Sequence, residues 1–181
     1  MPWAATPFTG QACEFSPFHP NLLAVATAQY YGITGGGQLH VFDIAGPDAT
    51  IAPVCDWTTH DGVYDCAWSE ASEHVVVTAQ GDGTVKFFDT TQPAEPVMSL
   101  SAHTADVCGV DWNCNASNLV CSASWDNTIK VWDVPQGTCT STFASHKQVA
   151  YAAIWSPARP MCLASVAGDH MLNVQDVRAG V

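Results

Sequence analysis

His103, Ser122 and Asp126 are the three side-chain types that nucleophilic catalysis combines, and Trp132 follows six residues on. In such a set the histidine accepts the serine proton and the carboxylate orients the histidine. The set recurs along the chain, however. His60, Thr78 and Asp82 repeat it with Phe88 at the tryptophan position, and His146, Ser165 and Asp169 repeat it with Gln175 there. A catalytic set occurs once, whereas a set that recurs at a fixed interval belongs to a scaffold. His103, Ser122, Asp126 and Trp132 are therefore expected to form a buried hydrogen-bonded chain in which every polar atom has a partner. No catalytic residue is assigned, and the enzymatic reading stands only as a rival.

The interval itself defines the fold class. His60, His103 and His146 lie 43 residues apart, and Trp68, Trp112 and Trp155 are separated by 44 and 43. Asp43, Asp89, Asp133 and Asp176 close the units at intervals of 46, 44 and 43. Self-similarity at this period marks WD40 blades, each a four-stranded antiparallel sheet. The expected architecture is all-β, a WD40 β-propeller segment of about four blades. The repeats run about 11–55, 56–100, 101–143 and 144–178, the last lacking its outer strand. The third is the clearest: strands Val107–Trp112, Leu119–Ser124, Thr128–Asp133 and Thr138–Phe143, with a tight turn at Trp125-Asp126-Asn127. Short runs rich in β-branched and aromatic residues between turn clusters are the strand signal. The first repeat has lost its tight-turn aspartate and carries Gly35-Gly36-Gly37 instead. A phosphate cradle needs a helix after its glycines, but Gln38–Asp43 reads as a strand, so this run is expected to be a loop.

Composition narrows the function. Seventeen acidic against five basic residues give a net charge of −12, which argues against a nucleic-acid partner. Seven of the acids fall at strand ends or in tight turns, which leaves ten for other roles. No apolar run is long enough for a membrane helix, and Met1–Ala5 shows no basic segment leading into an apolar one. The eight cysteines form no C-x-x-C pair. They read as reduced, mostly buried thiols, and no metal or cofactor is assigned.

Function in a propeller is carried by the loops of one rim, those that precede the innermost strand or join the second strand to the third. Asp61, Tyr64, Asp65, Asp106, Trp125 and Tyr151 are the candidates there. Acids beside aromatics suit a peptide with a basic group and an apolar anchor, held by charge-assisted hydrogen bonds and cation–π contact.

Several stretches go beyond blade geometry. Glu14–Phe18 and Ala26-Thr27-Ala28-Gln29-Tyr30-Tyr31-Gly32-Ile33 resemble the first repeat of the peroxisomal type-2 targeting-signal receptors, WD40 peroxins. Asp56-Trp57, Gly81-Asp82-Gly83, Val110-Asp111-Trp112, Ser124-Trp125-Asp126 and Ile154-Trp155-Ser156-Pro157 agree. The resemblance implies an import receptor for matrix proteins with an N-terminal Arg-Leu-x5-His-Leu signal. It implies a co-receptor, peroxisomal docking machinery, and shuttling between cytosol and peroxisome matrix, without membrane insertion. The alternative is a generic WD40 scaffold in another assembly. Members of that family have about seven blades, so the resemblance also implies an incomplete ring with an exposed flank, in which residues 1–9 belong to a last blade.

Overall fold

The computed structural model describes residues 3–44 and 51–179. Four antiparallel sheets follow one another along the chain, each meandering from an inner to an outer strand. The first contains β1 (Thr9–Phe15), β2 (Leu22–Ala28), β3 (Gly37–Asp43) and β4 (Ala52–Thr59). The second contains β5 (Val63–Trp68), β6 (Val75–Gln80), β7 (Thr84–Asp89) and β8 (Met98–Ser101). The third contains β9 (Val107–Trp112), β10 (Leu119–Ser124), β11 (Ile129–Asp133) and β12 (Thr138–Phe143). The fourth has three strands, β13 (Ala150–Trp155), β14 (Cys162–Ala167) and β15 (Leu172–Asp176). Single 3-10 turns at Gln29–Gly32 and Val177–Ala179 are the helical segments described, and among the described residues no helix is long and apolar enough to cross a membrane.

Two boundaries differ from expectation. Thr9 pairs with Ala28, so it belongs to the first sheet and not to another blade. Residues 1 and 2 of that expected stretch lie outside the described residues. The outer strand of the first sheet runs on to Thr59, where it pairs with Gly37, four residues past the expected end of the first repeat.

The inner strands β1, β5, β9 and β13 pack in sequence, and the apolar core lies between successive sheets. Trp68, Val76 and Phe88 pack with Leu39 and Trp57 across the first junction, and Phe87 meets Trp112 edge-on across the second. Burial of such side chains contributes roughly 1.5–3 kcal/mol each. The far face of the fourth sheet is open, with Ile154, Leu172 and Val174 each at least 60% exposed.

Carboxylates also clamp neighbouring inner strands together. Glu14 accepts the Trp68 backbone N–H at 2.6 Å, Asp65 accepts that of Val110 at 3.0 Å, and Asp111 accepts that of Trp155. Burial raises all three, Glu14 to about 7 and Asp65 and Asp111 to about 6. The cysteines are all free thiols, but their placement is mixed. Cys66, Cys121 and Cys162 are buried, whereas Cys13 and Cys114 are exposed, so the expectation of mostly buried thiols is corrected.

Candidate functional site

The histidine–serine–aspartate chain of the third sheet closes completely. The Trp132 indole N–H donates to Ser122 Oγ at 2.8 Å, Ser122 Oγ lies 2.8 Å from His103 Nε2, and His103 Nδ1 lies 2.8 Å from Asp126. Burial depresses His103 more than Asp126 raises it, which favours a neutral ring donating from Nδ1 and accepting at Nε2. Burial also opposes the charge on Asp126. Bonds from Thr128, His103 and the Thr104 N–H outweigh it, and the carboxyl falls to about 2. The geometry is that of a catalytic relay, but Ser122 is wholly buried, so no substrate reaches its oxygen.

The fourth sheet repeats the relay, with His146 between Ser165 at 2.8 Å and Asp169 at 3.2 Å. The second sheet does not. His60 is exposed, and Thr78 instead accepts from Gln80 Nε2 at 2.9 Å while Asp82 pairs with Lys86. The reason is register. His60 precedes Asp82 by 22 residues, whereas His103 and His146 precede their aspartates by 23. A slip of one residue turns a side chain to the other face. The Gly35–Gly37 run leads into β3, a strand and not a helix.

The upper rim, where β2–β3, β6–β7, β10–β11 and the links between sheets lie, gathers most of the candidates. Tyr64, at the start of β5, stacks on Trp125 in the β10–β11 turn, with ring centroids 6.1 Å apart and planes at 28°. Its hydroxyl donates toward Asp106 at 3.1 Å and toward the Gly32 carbonyl. Burial, with Asp106 beside it, pushes the Tyr64 phenol up to about 12, so it stays a donor. Trp125 is itself fixed by its backbone N–H, which donates to the Asp106 carbonyl at 2.9 Å, yet 44% of it faces solvent. Asp61 is a further charge near Tyr64, and Tyr151 stands on the fourth sheet, 53% exposed. Asp65 is not with them, because its carboxylate is held by the Cys66 and Val110 N–H groups.

Reading the candidates from spacing missed the residues at the first-sheet end of this rim. Tyr30 and Tyr31 occupy the β2–β3 loop, equivalent to Trp125, at 70% and 77% exposure, with Ile33 at 84%. Both tyrosines have left-handed backbone, φ 45° and 59°, a conformation that non-glycine residues hold only when the surroundings enforce it. Gln29 supplies part of that enforcement by accepting the Gly36 N–H at 3.0 Å, and Tyr64 supplies the rest at Gly32. The signal was present in the sequence as an aromatic pair before a glycine in a second-to-third-strand loop. The result is a rim of exposed aromatic rings with two carboxylates, Asp106 and Asp61, beside Tyr64, a chemistry suited to a basic, partly apolar peptide.

Comparison with known proteins agrees with this architecture. The WD domain, G-beta repeat family matches at residues 52–89 and 94–133. The Peroxisomal targeting signal 2 receptor of Mus musculus is 45% identical over 157 residues, which cover 86% of this chain and 49% of that protein. The chain is thus similar to proteins named peroxisomal targeting signal 2 receptors and carries WD40 repeats. The receptor of the same name from Homo sapiens is 43% identical over 86% of the chain and 48% of its own length. Peroxisome biogenesis protein 7 of Arabidopsis thaliana is 40% identical over 73% of the chain and 42% of its own length. The chain thus spans about half the length of these relatives.

Proposed function

We propose that this chain contributes a peptide-binding rim to a non-enzymatic import receptor for matrix proteins with an N-terminal type-2 peroxisomal targeting signal. The observation that carries the reading is the Tyr64–Asp106–Trp125 cluster, set beside the receptor names of its relatives. A signal of the form Arg-Leu-x5-His-Leu, wound as a helix, brings its basic and apolar groups toward one face. The arginine meets Asp106 and Asp61 and the faces of Trp125 and Tyr64, and the leucines lie against Tyr30, Tyr31 and Ile33. Tyr151 extends the same rim over the fourth sheet. A co-receptor and the peroxisomal docking machinery complete delivery, and the receptor shuttles between cytosol and peroxisome matrix.

Fluorescence polarisation with a labelled Arg-Leu-x5-His-Leu peptide tests this. Replacing the peptide arginine by alanine is expected to weaken binding about tenfold or more, the equivalent of one charge-assisted contact of about 1.5–3 kcal/mol. Equal binding of the two peptides would favour a generic scaffold over a signal receptor.

A further inference from the structure

The opposite rim of the molecule holds a second feature, independent of the peptide-binding reading. Where the β5–β6 and β9–β10 loops meet the β7–β8 and β11–β12 loops, a cleft of about 400 Å³ opens between the second and third sheets. That volume lies within the range of preformed ligand sites, about 300–1,000 Å³. Phe87 and Trp112 line it, with Val75, Val97, Met98 and Val134 around them. The aromatic pair is rigid: the rings meet edge-on, and the Trp112 indole N–H is held by the Ser117 carbonyl at 2.8 Å. Val97 stands at the mouth, 48% exposed.

The charge around this cleft is one-sided. The four loops carry Glu70, Glu73 and Glu95 and no lysine or arginine, and Asp89 and Asp133 end the strands β7 and β11 that lead into two of them. Glu73 is met by His19 and His74, and Asp133 reaches Asn118 on the cleft wall at 3.4 Å. Lys86 is committed elsewhere, to Asp82 in the β6–β7 turn of the upper rim. An apolar pocket inside an acidic border selects an apolar side chain on a cationic segment, because the pocket supplies burial and the border supplies long-range attraction.

We propose that this lower cleft is a second docking site, for a short basic protein segment that inserts one leucine- or phenylalanine-sized side chain between the second and third sheets. The anchor side chain lies against Val97, Met98 and Val134 over a floor formed by the buried Trp112 and Phe87, and flanking lysines or arginines face Glu70, Glu95 and Asp133.

The test is fluorescence polarisation with a labelled peptide that carries a central leucine–phenylalanine pair between arginines, beside a matched peptide with serines in place of the pair. The full chain is used as it is, together with Val97→Arg, Ala71→Arg and Trp125→Ala. The first peptide is expected to bind, and the serine peptide to bind about ten- to a hundredfold more weakly, the equivalent of one buried leucine. Val97→Arg and Ala71→Arg should each weaken binding by a similar factor at an unchanged melting temperature, and by more than Trp125→Ala does. Ala71 is exposed and its N–H bond to Ser69 uses backbone, so Ala71→Arg serves should Val97→Arg fold poorly. Absence of binding, equal binding of the two peptides, or a loss on Trp125→Ala but not on the cleft variants would overturn the proposal. The last result would place the peptide on the upper rim.

Discussion

Ser122→Ala removes a single oxygen that holds two partners. The Trp132 indole N–H then has no acceptor and His103 Nε2 no donor, at sites that are 2% exposed for Trp132 and 7% for His103. An orphaned buried polar group costs about 1–3 kcal/mol, so two of them predict a loss of about 2–6 kcal/mol. Ser165→Ala in the fourth sheet is the matched control. There the tryptophan is replaced by Gln175, which bonds Ser145 and not Ser165. His146 also keeps Asn173 Nδ2 within 3.3 Å of its Nε2. The loss at Ser165 should therefore be smaller by at least about 1 kcal/mol. Urea unfolding gives both values, provided the slope stays constant. A double-mutant cycle sharpens the test, because Trp132→Phe removes the indole donor and so lowers the further loss caused by Ser122→Ala. Equal losses at Ser122 and Ser165, or a Ser122→Ala loss unaffected by Trp132→Phe, would refute the relay described here.

Other perturbations probe separate parts of the fold. His60→Ala should change stability by less than about 0.5 kcal/mol because the ring is exposed. His146→Ala should lose about 1–3 kcal/mol by stranding the buried Ser165 hydroxyl. Thermal or urea melts of the pair test the one-residue offset that leaves His60 outside the network. Gly37→Ala would place a methyl 2.5 Å from the Val63 nitrogen and 2.7 Å from the Thr27 carbonyl, both backbone, with an expected loss of about 1–3 kcal/mol. The inter-strand carboxyls set a pH dependence. A carboxyl raised to about 6, as Asp111 is, binds its proton more tightly folded than unfolded, so its contribution to stability grows as pH falls from about 7 toward 4. His40 and His103, held below their usual value by burial, act in the opposite direction, but they are shared with Asp111→Asn and cancel in the difference. The native chain should thus gain stability relative to Asp111→Asn between pH 7 and pH 5, and a constant difference in urea midpoints across that range would contradict the raised Asp111.

The strands were legible because their signals are local. Val63–Trp68, Val107–Trp112 and Leu119–Ser124 are bounded by turn residues and filled with side chains that suit a pleated surface. The third-sheet relay was legible through recurrence. What escaped depends on contacts distant in sequence. Asp65 read as a rim acid because nothing nearby announces that the Val110 N–H, 45 residues on, will take its carboxylate. Glu14 and Asp111 carried no signal of their clamps for the same reason. With these three in the frame, fewer acids are available to a ligand than composition suggests. His60 was misplaced because a spacing of 43 residues was read between histidines and not from each histidine to its aspartate. Tyr30 and Tyr31 stood in the most distinctive stretch of the chain, yet their exposure follows from a left-handed backbone that Gln29 and Tyr64 impose.

The most direct test of the central claim is to locate a bound signal. An Arg-Leu-x5-His-Leu peptide with a photoreactive group beside its arginine is bound to the chain and crosslinked, and the sites are mapped by mass spectrometry. The account predicts crosslinks on the upper rim, at Asp61–Tyr64 and at Asp106 or Trp125, lost when the peptide arginine is alanine. Crosslinks confined to the lower loops, or unchanged by the alanine peptide, would contradict it.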